Sequence, residues 1–326
     1  MTWYLVIGAI AACLASLRLL QVAGERRDAR RFPPPGRMVG PAGRRLHVLI
    51  KGSGPGPAIV IEQGAGGFGV LWWAVQDALA EFATVVTYDR LGLGWSDPAP
   101  ARRGIDERVE DLRALLDAAE VAGPYLFVAH SYGGLLVRKF ARRHPERTAG
   151  LVLVDTVEEG IHFQPEVLQL YGRFNVLLAV LAAAQFLGVL RLWQTLFPDK
   201  KTRSDRRLAA LAALSLRPSM FLGMRNDMSS LAQLPAAERQ PWPARSFGSL
   251  PLTVITHGQP FPGPLAVVER HWAAGQERLA RLSSAGLLVV ARHSNHMIQD
   301  DEPELVIDAI RQTHVAAMDE TLRQSR

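Results

Sequence analysis

The six residues Ala129-His130-Ser131-Tyr132-Gly133-Gly134 hold a serine between two contrasting runs. Before it comes a strand-like stretch, Tyr125-Leu126-Phe127-Val128, and after it a helix-like one, Leu135-Leu136-Val137-Arg138-Lys139-Phe140. On so tight a strand-to-helix turn the hydroxyl is lifted clear of the backbone, and the next residue's N–H faces the same space. The turn reads as a nucleophile elbow of the G-x-S-x-G kind, with the small residue Ala129 in place of the first glycine. Ser131 is therefore a candidate nucleophile. The competing reading, a serine capping a helix N-terminus, is disfavoured by the flanking His130 and the paired glycines. A serine hydroxyl is a weak nucleophile near neutral pH, so the chain must also supply a general base.

The elements that must position such a serine follow from the hydrophobic pattern. From about residue 36, strand-like and helix-like stretches alternate, which predicts a mostly parallel sheet with helices on both faces. Residues 45–51 read as a strand. Residues 58–62 read as a short buried strand running into Gly64-Ala65-Gly66-Gly67. A helix over 71–82 and a strand over 83–88 follow. Residues 105–121 form an amphipathic helix with Val109, Leu112, Leu115 and Leu116 on one face. After the elbow, a buried strand over 151–154 ends at Asp155.

The alternation then stops. Residues 156–249 read as helices without a convincing strand, and the sheet pattern resumes at 252–256. A helix over 265–282, a strand over 287–290 and a last helix from about 304 complete the chain. The expected organisation is an N-terminal membrane segment (1–23), a basic, proline-rich linker (24–36), a core in two pieces (37–155 and 250–326) and a helical insertion (156–249). Within the insertion, residues 176–190 are uncharged but short for a membrane span, which favours a buried helix. A helix facing lipid or an apolar substrate is the second reading.

Residues 3–17 are uncharged and almost wholly apolar, and the pattern continues past Arg18 through Leu19-Leu20-Gln21-Val22-Ala23. About 20 such residues span a hydrocarbon core, and an arginine near one end can snorkel to the headgroups. No Lys or Arg precedes the run, so the basic start of a cleaved signal peptide is missing. The charges come afterwards, at Arg18, Arg26, Arg27, Arg30 and Arg31. By the positive-inside rule they place the rest of the chain in the cytoplasm behind a single-pass anchor. Phe32-Pro33-Pro34-Pro35-Gly36 reads as a stiff spacer.

The 326 residues carry a formal charge of +6, spread through the chain, which reads as a solvated basic surface with no nucleic-acid partner. The single cysteine, Cys13, lies in the apolar N-terminus. It excludes an intramolecular disulfide and argues against a cysteine metal site or thiol catalysis.

Four motifs in order carry a family resemblance. They are Glu62-Gln63-Gly64-Ala65-Gly66-Gly67, Tyr88-Asp89-Arg90-Leu91-Gly92-Leu93-Gly94-Trp95-Ser96-Asp97, the elbow at Ser131, and Ser294-Asn295-His296-Met297-Ile298-Gln299. With these, residues 36–312 resemble an α/β-hydrolase with a helical cap inserted after the strand ending at Asp155. The resemblance implies that His296, in the loop before the last helix, is the base. His293 is the nearest competitor, and His130 and His257 are weaker ones.

In many relatives the supporting acid follows the strand placed here at 252–256, where this chain reads His257-Gly258-Gln259-Pro260-Phe261 and has no carboxylate. Asp155, used at that position by some relatives, is the candidate acid and keeps the order Ser, acid, His. A loop-capping aspartate is the plain alternative, and Glu158, Glu159 and Glu269 are weaker candidates. The oxyanion hole would combine the backbone N–H groups of Ala65 and Tyr132. Asp89 to Asp97 would build and hold a tight loop without taking part in chemistry.

The implied activity is hydrolysis of a carboxylic ester with an apolar acyl group, lipid-like esters included, through a Ser-His-Asp triad, without cofactor or metal. An amidase or acyltransferase on the same triad, and a non-catalytic hydrolase-like receptor, remain as alternatives. Serine at the elbow argues against relatives that use an aspartate nucleophile.

Overall fold

A computed structural model describes residues 2–41, 43–99, 103–198 and 205–324. One sheet of eight strands organises the chain, in the order β1-β2-β4-β3-β5-β6-β7-β8. The strands are β1 (Arg37–Val39), β2 (Leu46–Lys51), β3 (Ala58–Glu62), β4 (Val85–Tyr88), β5 (Tyr125–His130), β6 (Thr148–Val154), β7 (Leu252–His257) and β8 (Gly286–Ala291). β1 pairs with β2, and β2 with β4, antiparallel; every other pairing is parallel.

Among the described residues the α-helices are α1 (Thr2–Arg31), α2 (Trp73–Leu79), α3 (Ile105–Ala118), α4 (Gly133–Arg143), α5 (Glu159–His162), α6 (Pro165–Leu187), α7 (Val189–Leu196), α8 (Arg206–Ser215), α9 (Ser219–Leu231), α10 (Ala266–Ala280), α11 (Ile298–Asp301) and α12 (Pro303–Gln324).

The central strands are apolar at nearly every position because helices cover both faces of the sheet. Val60, Phe127, Leu151 and Leu153 point to one face and pack with Val109, Leu112 and Leu116 of α3 and Leu136 and Phe140 of α4. Ile59, Ile61, Val128 and Val152 point to the other, against Trp72, Leu79 of α2 and Val306 and Ile310 of α12. Each fully buried side chain of this kind stabilises the fold by about 1.5–3 kcal/mol. The strand ends that carry β3, β5, β6 and β7 are thereby held rigidly side by side.

Several elements depart from the pattern-based expectation. The first helix does not end near residue 23 but continues to Arg31, through residues assigned above to the linker. Residues 25–31 are mostly charged good helix formers, and the helix is held by tertiary contacts: Gln21 Nε2 donates to the Leu216 carbonyl at 2.8 Å, and Arg191 pairs with Asp28 at 2.7 Å. Residues 69–79 form a 3₁₀ turn running into the short α2 in place of one longer helix. The strand β1 carries too few residues to show a period. Finally, α6 carries most of the uncharged run and is buried on one side only: Leu178 and Ala182 are buried, whereas Val176, Val180 and Phe186 are exposed.

Candidate active site

Ser131 follows β5 directly and adopts φ +51°, the left-handed region that a side-chain-bearing residue enters at a cost of about 1–3 kcal/mol. The surroundings over-determine that turn. The Ser131 N–H donates to the Val154 carbonyl at 3.2 Å, and the Ser131 carbonyl accepts from Gly134 and Val157. The two glycines that follow Tyr132 have no room for side chains. A Cβ at Gly133 would lie 2.6 Å from the Gln63 carbonyl oxygen, and one at Gly134 would lie 2.4 Å from Thr156 Cβ. Ala129 is fully buried in register with Glu62 and Leu153, where a methyl group fits.

His296 Nε2 lies 3.0 Å from Ser131 Oγ, and its Nδ1 lies 2.7 Å from Asp155 Oδ2. Three residues distant in sequence are thus joined in one hydrogen-bonded line. Asp155 is inaccessible to solvent and collects further donors: Trp272 Nε1 at 2.8 Å and the His257 N–H at 3.1 Å on Oδ1, and His257 Nδ1 at 2.7 Å on Oδ2. Burial alone would push the Asp155 carboxyl up. The hydrogen bonds from His257 and His296 outweigh it and hold the group well below the usual carboxylate range.

The other candidates are engaged elsewhere. His257 Nε2 faces Glu269 Oε2 at 3.1 Å, so its ring lies between two carboxylates. Burial lowers its proton affinity, but Asp155 and Glu269 more than restore it, leaving the pKa raised. At the strand end where the sequence resemblance leads one to look for a carboxylate, this chain therefore carries a donor to Asp155. His130 donates through Nε2 to the His296 carbonyl at 2.9 Å, and burial beside His296 pushes its pKa down to about 3, so it is a neutral prop for the histidine loop. His293 is exposed. Its N–H donates to Glu302. Glu158 and Glu159 pair with Arg278 and Arg138.

Beside the elbow, Gln63-Gly64-Ala65-Gly66 leaves β3 and crosses over Ser131. A Cβ at Gly64 would meet His130 Nδ1 at 2.8 Å and Ser131 Cβ at 3.3 Å, so the loop passes as close as glycine permits. Among the described residues, the N–H groups of Ala65 and Tyr132 have no acceptor within the protein, and both residues line the same cavity as Ser131.

What holds this loop is a buried ion cluster. Arg90 donates to Glu62, to the Gln63 carbonyl at 2.9 Å and to Asp227 of α9 at 2.7 Å. Asp227 also accepts from the Gly66 N–H at 2.9 Å and lies 2.8 Å from Arg108 of α3. Burial works against the Arg90 charge, yet Asp227 and Glu62 raise its pKa above the ordinary value. Asp89 accepts from Gly69 N–H at 2.7 Å and Trp95 N–H at 2.9 Å, tying down the loop it begins. Sequence reasoning missed Asp227, Trp272 and the donor role of His257. Each acts across more than 100 residues or from a helix without a motif.

Ser131 and His296 open onto a cavity of about 640 Å³. Its wall is mostly apolar, with Tyr171, Phe174 and Leu177 from α6, Met224 and Met228 from α9, and Phe261 beyond β7. His162 is a polar exception, kept neutral because burial, with Arg138 adding to it, lowers its pKa to about 3.

A model of the alpha/beta hydrolase fold matches residues 57–303. The uncharacterised protein YqjL of Bacillus subtilis (strain 168) is 27% identical over 276 residues, covering 84% of this chain and 90% of that protein. The 2-hydroxymuconate semialdehyde hydrolase of Pseudomonas sp. (strain CF600) is 36% identical over 136 residues, 40% of this chain and 46% of that protein. Among solved structures, the enol-lactonase of Burkholderia xenovorans LB400 superposes with a TM-score of 0.62 at 22% identity, covering 85% of this chain and 99% of that one. A thermophilic esterase from Thermogutta terrifontis gives 0.64 at 20% identity, covering 86% and 98%. At these identities the two structures speak to the fold. The family match extends over most of the chain, which is therefore a member of the alpha/beta hydrolase fold family and an enzyme.

Proposed function

We propose that this enzyme hydrolyses carboxylic esters of apolar acyl groups through an acyl-enzyme on Ser131. The observation that carries the reading is the Ser131–His296–Asp155 line at 3.0 and 2.7 Å, opening on an apolar cavity. Ser131 Oγ attacks the ester carbonyl carbon while His296 Nε2 accepts the hydroxyl proton. Negative charge develops on the carbonyl oxygen and is stabilised by the N–H groups of Ala65 and Tyr132, which are fixed before reaction. Collapse of the tetrahedral intermediate breaks the bond to the alcohol oxygen, which takes the proton from His296. Water then repeats the sequence on the acyl-enzyme, and the acid is released. Asp155 stays ionised throughout, holding the imidazole tautomer and stabilising the imidazolium. The relatives named as a hydrolase, an enol-lactonase and an esterase are consistent with this class of reaction.

We further read α1 as an anchor that holds the catalytic domain at the cytoplasmic face of a membrane. Its 30 residues are long and apolar enough to span, and residues 2–16 are all exposed.

Turnover of p-nitrophenyl esters across an acyl-length series tests the proposal with wild type, Ser131→Ala and His296→Ala. Wild type is expected to favour medium or long acyl groups over acetyl, and each variant to lose about 10⁴-fold or more in kcat. Equal turnover by all three proteins would remove the triad from the reaction.

A further inference from the structure

In α1, every residue from 2 to 16 is exposed, whereas from Leu17 onward one face of the helix, including Gln21 and Gly24, packs on the cap. That free stretch is about 22 Å long at 1.5 Å per residue. A bilayer's hydrocarbon core is about 30 Å thick. The free helix alone falls short by about 8 Å, so the surface from which it emerges must enter the membrane to make up the difference.

The helix leaves the body beside the α6–α7 corner. Arg18 donates to the Phe186 carbonyl at 3.1 Å and lies over the Phe186 ring at 4.2 Å. Gly188, at φ +90° between α6 and α7, sits so near α1 that a Cβ would lie 2.3 Å from the Leu17 carbonyl oxygen. The cap therefore supplies a carbonyl and a ring to the one arginine that interrupts the apolar run, while Glu25 of α1 itself lies 3.7 Å from it. Phe186, beside this exit, is itself 52% exposed, and the same two helices show further apolar side chains: Val180 is 60% exposed, Trp193 64% and Phe197 at the end of α7 61%, with Val176 and Leu196 also outward. Soluble surfaces rarely gather such a patch. Immersion of an apolar helical face by about 5–10 Å is the usual depth of interfacial helices, and it matches the shortfall.

We infer that the exposed face of α6 and α7 is a second membrane-contacting surface, seated in the same leaflet that α1 enters. This rests on the reading of α1 as an anchor. The opposite side of α6 contributes Tyr171, Phe174 and Leu177 to the catalytic cavity. One helix thus separates lipid from the reaction site, and an ester dissolved in the bilayer reaches Ser131 past it.

Depth measurement by nitroxide spin labels on the full chain tests this. Cys13 is the only cysteine, so Cys13→Ser gives a background for single labels. Labels are placed by Leu14→Cys in α1, by Val180→Cys, Trp193→Cys and Phe197→Cys on the cap, and by Asp308→Cys on α12 as the aqueous reference. In vesicles of phosphatidylcholine and phosphatidylglycerol, the three cap labels are expected to show oxygen-to-nickel accessibility ratios several-fold above that at 308. They should also lie shallower than the label at 14. Cap labels matching 308 while 14 lies in lipid would overturn the inference and leave the anchor standing. A label at 14 as aqueous as 308 would overturn both. Cap labels shielded from both reagents would assign the face to a second copy of the chain, against the inference.

Discussion

Replacing Asp155 by Asn is the sharpest perturbation of the site, because the carboxylate accepts four N–H groups and an amide cannot. His296 Nδ1 and His257 Nδ1 both lie 2.7 Å from Oδ2, while Trp272 Nε1 and the His257 N–H approach Oδ1 at 2.8 and 3.1 Å. If the Asn oxygen faces the two imidazoles, the amide NH₂ opposes two buried donors, each left unsatisfied at about 1–3 kcal/mol. If the oxygen faces Trp272 and the backbone, the NH₂ faces the imidazoles, and both can adapt by moving their proton to Nε2. His257 then donates to Glu269, already 3.1 Å away. His296 then carries its proton on the nitrogen facing Ser131 and cannot act as base. The second arrangement keeps every donor satisfied, so Asp155→Asn should fold with a stability loss of no more than about 2 kcal/mol. Its kcat should fall about 10⁴-fold, some 5.5 kcal/mol in the barrier. Single-turnover ester hydrolysis alongside denaturant unfolding separates the two effects, with Glu269→Gln as the comparison. A folded Asp155→Asn enzyme within tenfold of wild type would refute the assignment. So would a larger loss in Glu269→Gln.

Two further outcomes follow from the buried charges. The His257 pKa is raised by Asp155 and Glu269 against the effect of burial, so its contribution to stability is full below the unfolded value of about 6.5. That contribution disappears as pH rises through the folded value; His257→Gln should flatten this decline in unfolding curves taken from pH 5.5 to 9, and parallel curves would contradict the coupling. Asp227→Asn leaves Arg90 and Arg108 buried without their shared anion, so about 3–5 kcal/mol of stability should be lost. A folded fraction should show a lower kcat because one amide oxygen cannot serve the Gly66 N–H and both arginines as the carboxylate does; unchanged unfolding and turnover would remove the cluster from the account.

The sequence made the sheet and the elbow readable because their signals are local. Strand, turn and helix around Ser131 are contiguous, and the paired glycines at 133 and 134 mark the turn in the sequence, although the crowding that requires them comes from Gln63 and Thr156. Asp155 and His296 were legible as strand-end and loop residues once the family resemblance set their order, although only the folded chain brings them within 2.7 Å. The support around them was not legible. Arg90 meets Asp227 across 137 positions, and Trp272 meets Asp155 across 117, from helices whose patterns only announce an apolar face. The end of α1 is illegible for a related reason. A charged stretch after an apolar one reads as a linker, but Asp28 finds Arg191 and the helix continues on the cap.

The central claim is that Ser131 is the acylated nucleophile, and covalent capture tests it most directly. Full-length protein is treated with a fluorophosphonate probe, digested and read by mass spectrometry. The account predicts one adduct, on the peptide containing Ser131, absent in Ser131→Ala and strongly slowed in His296→Ala. Well-folded wild type that remains unlabelled, or is labelled at another residue with equal yield in Ser131→Ala, would contradict it.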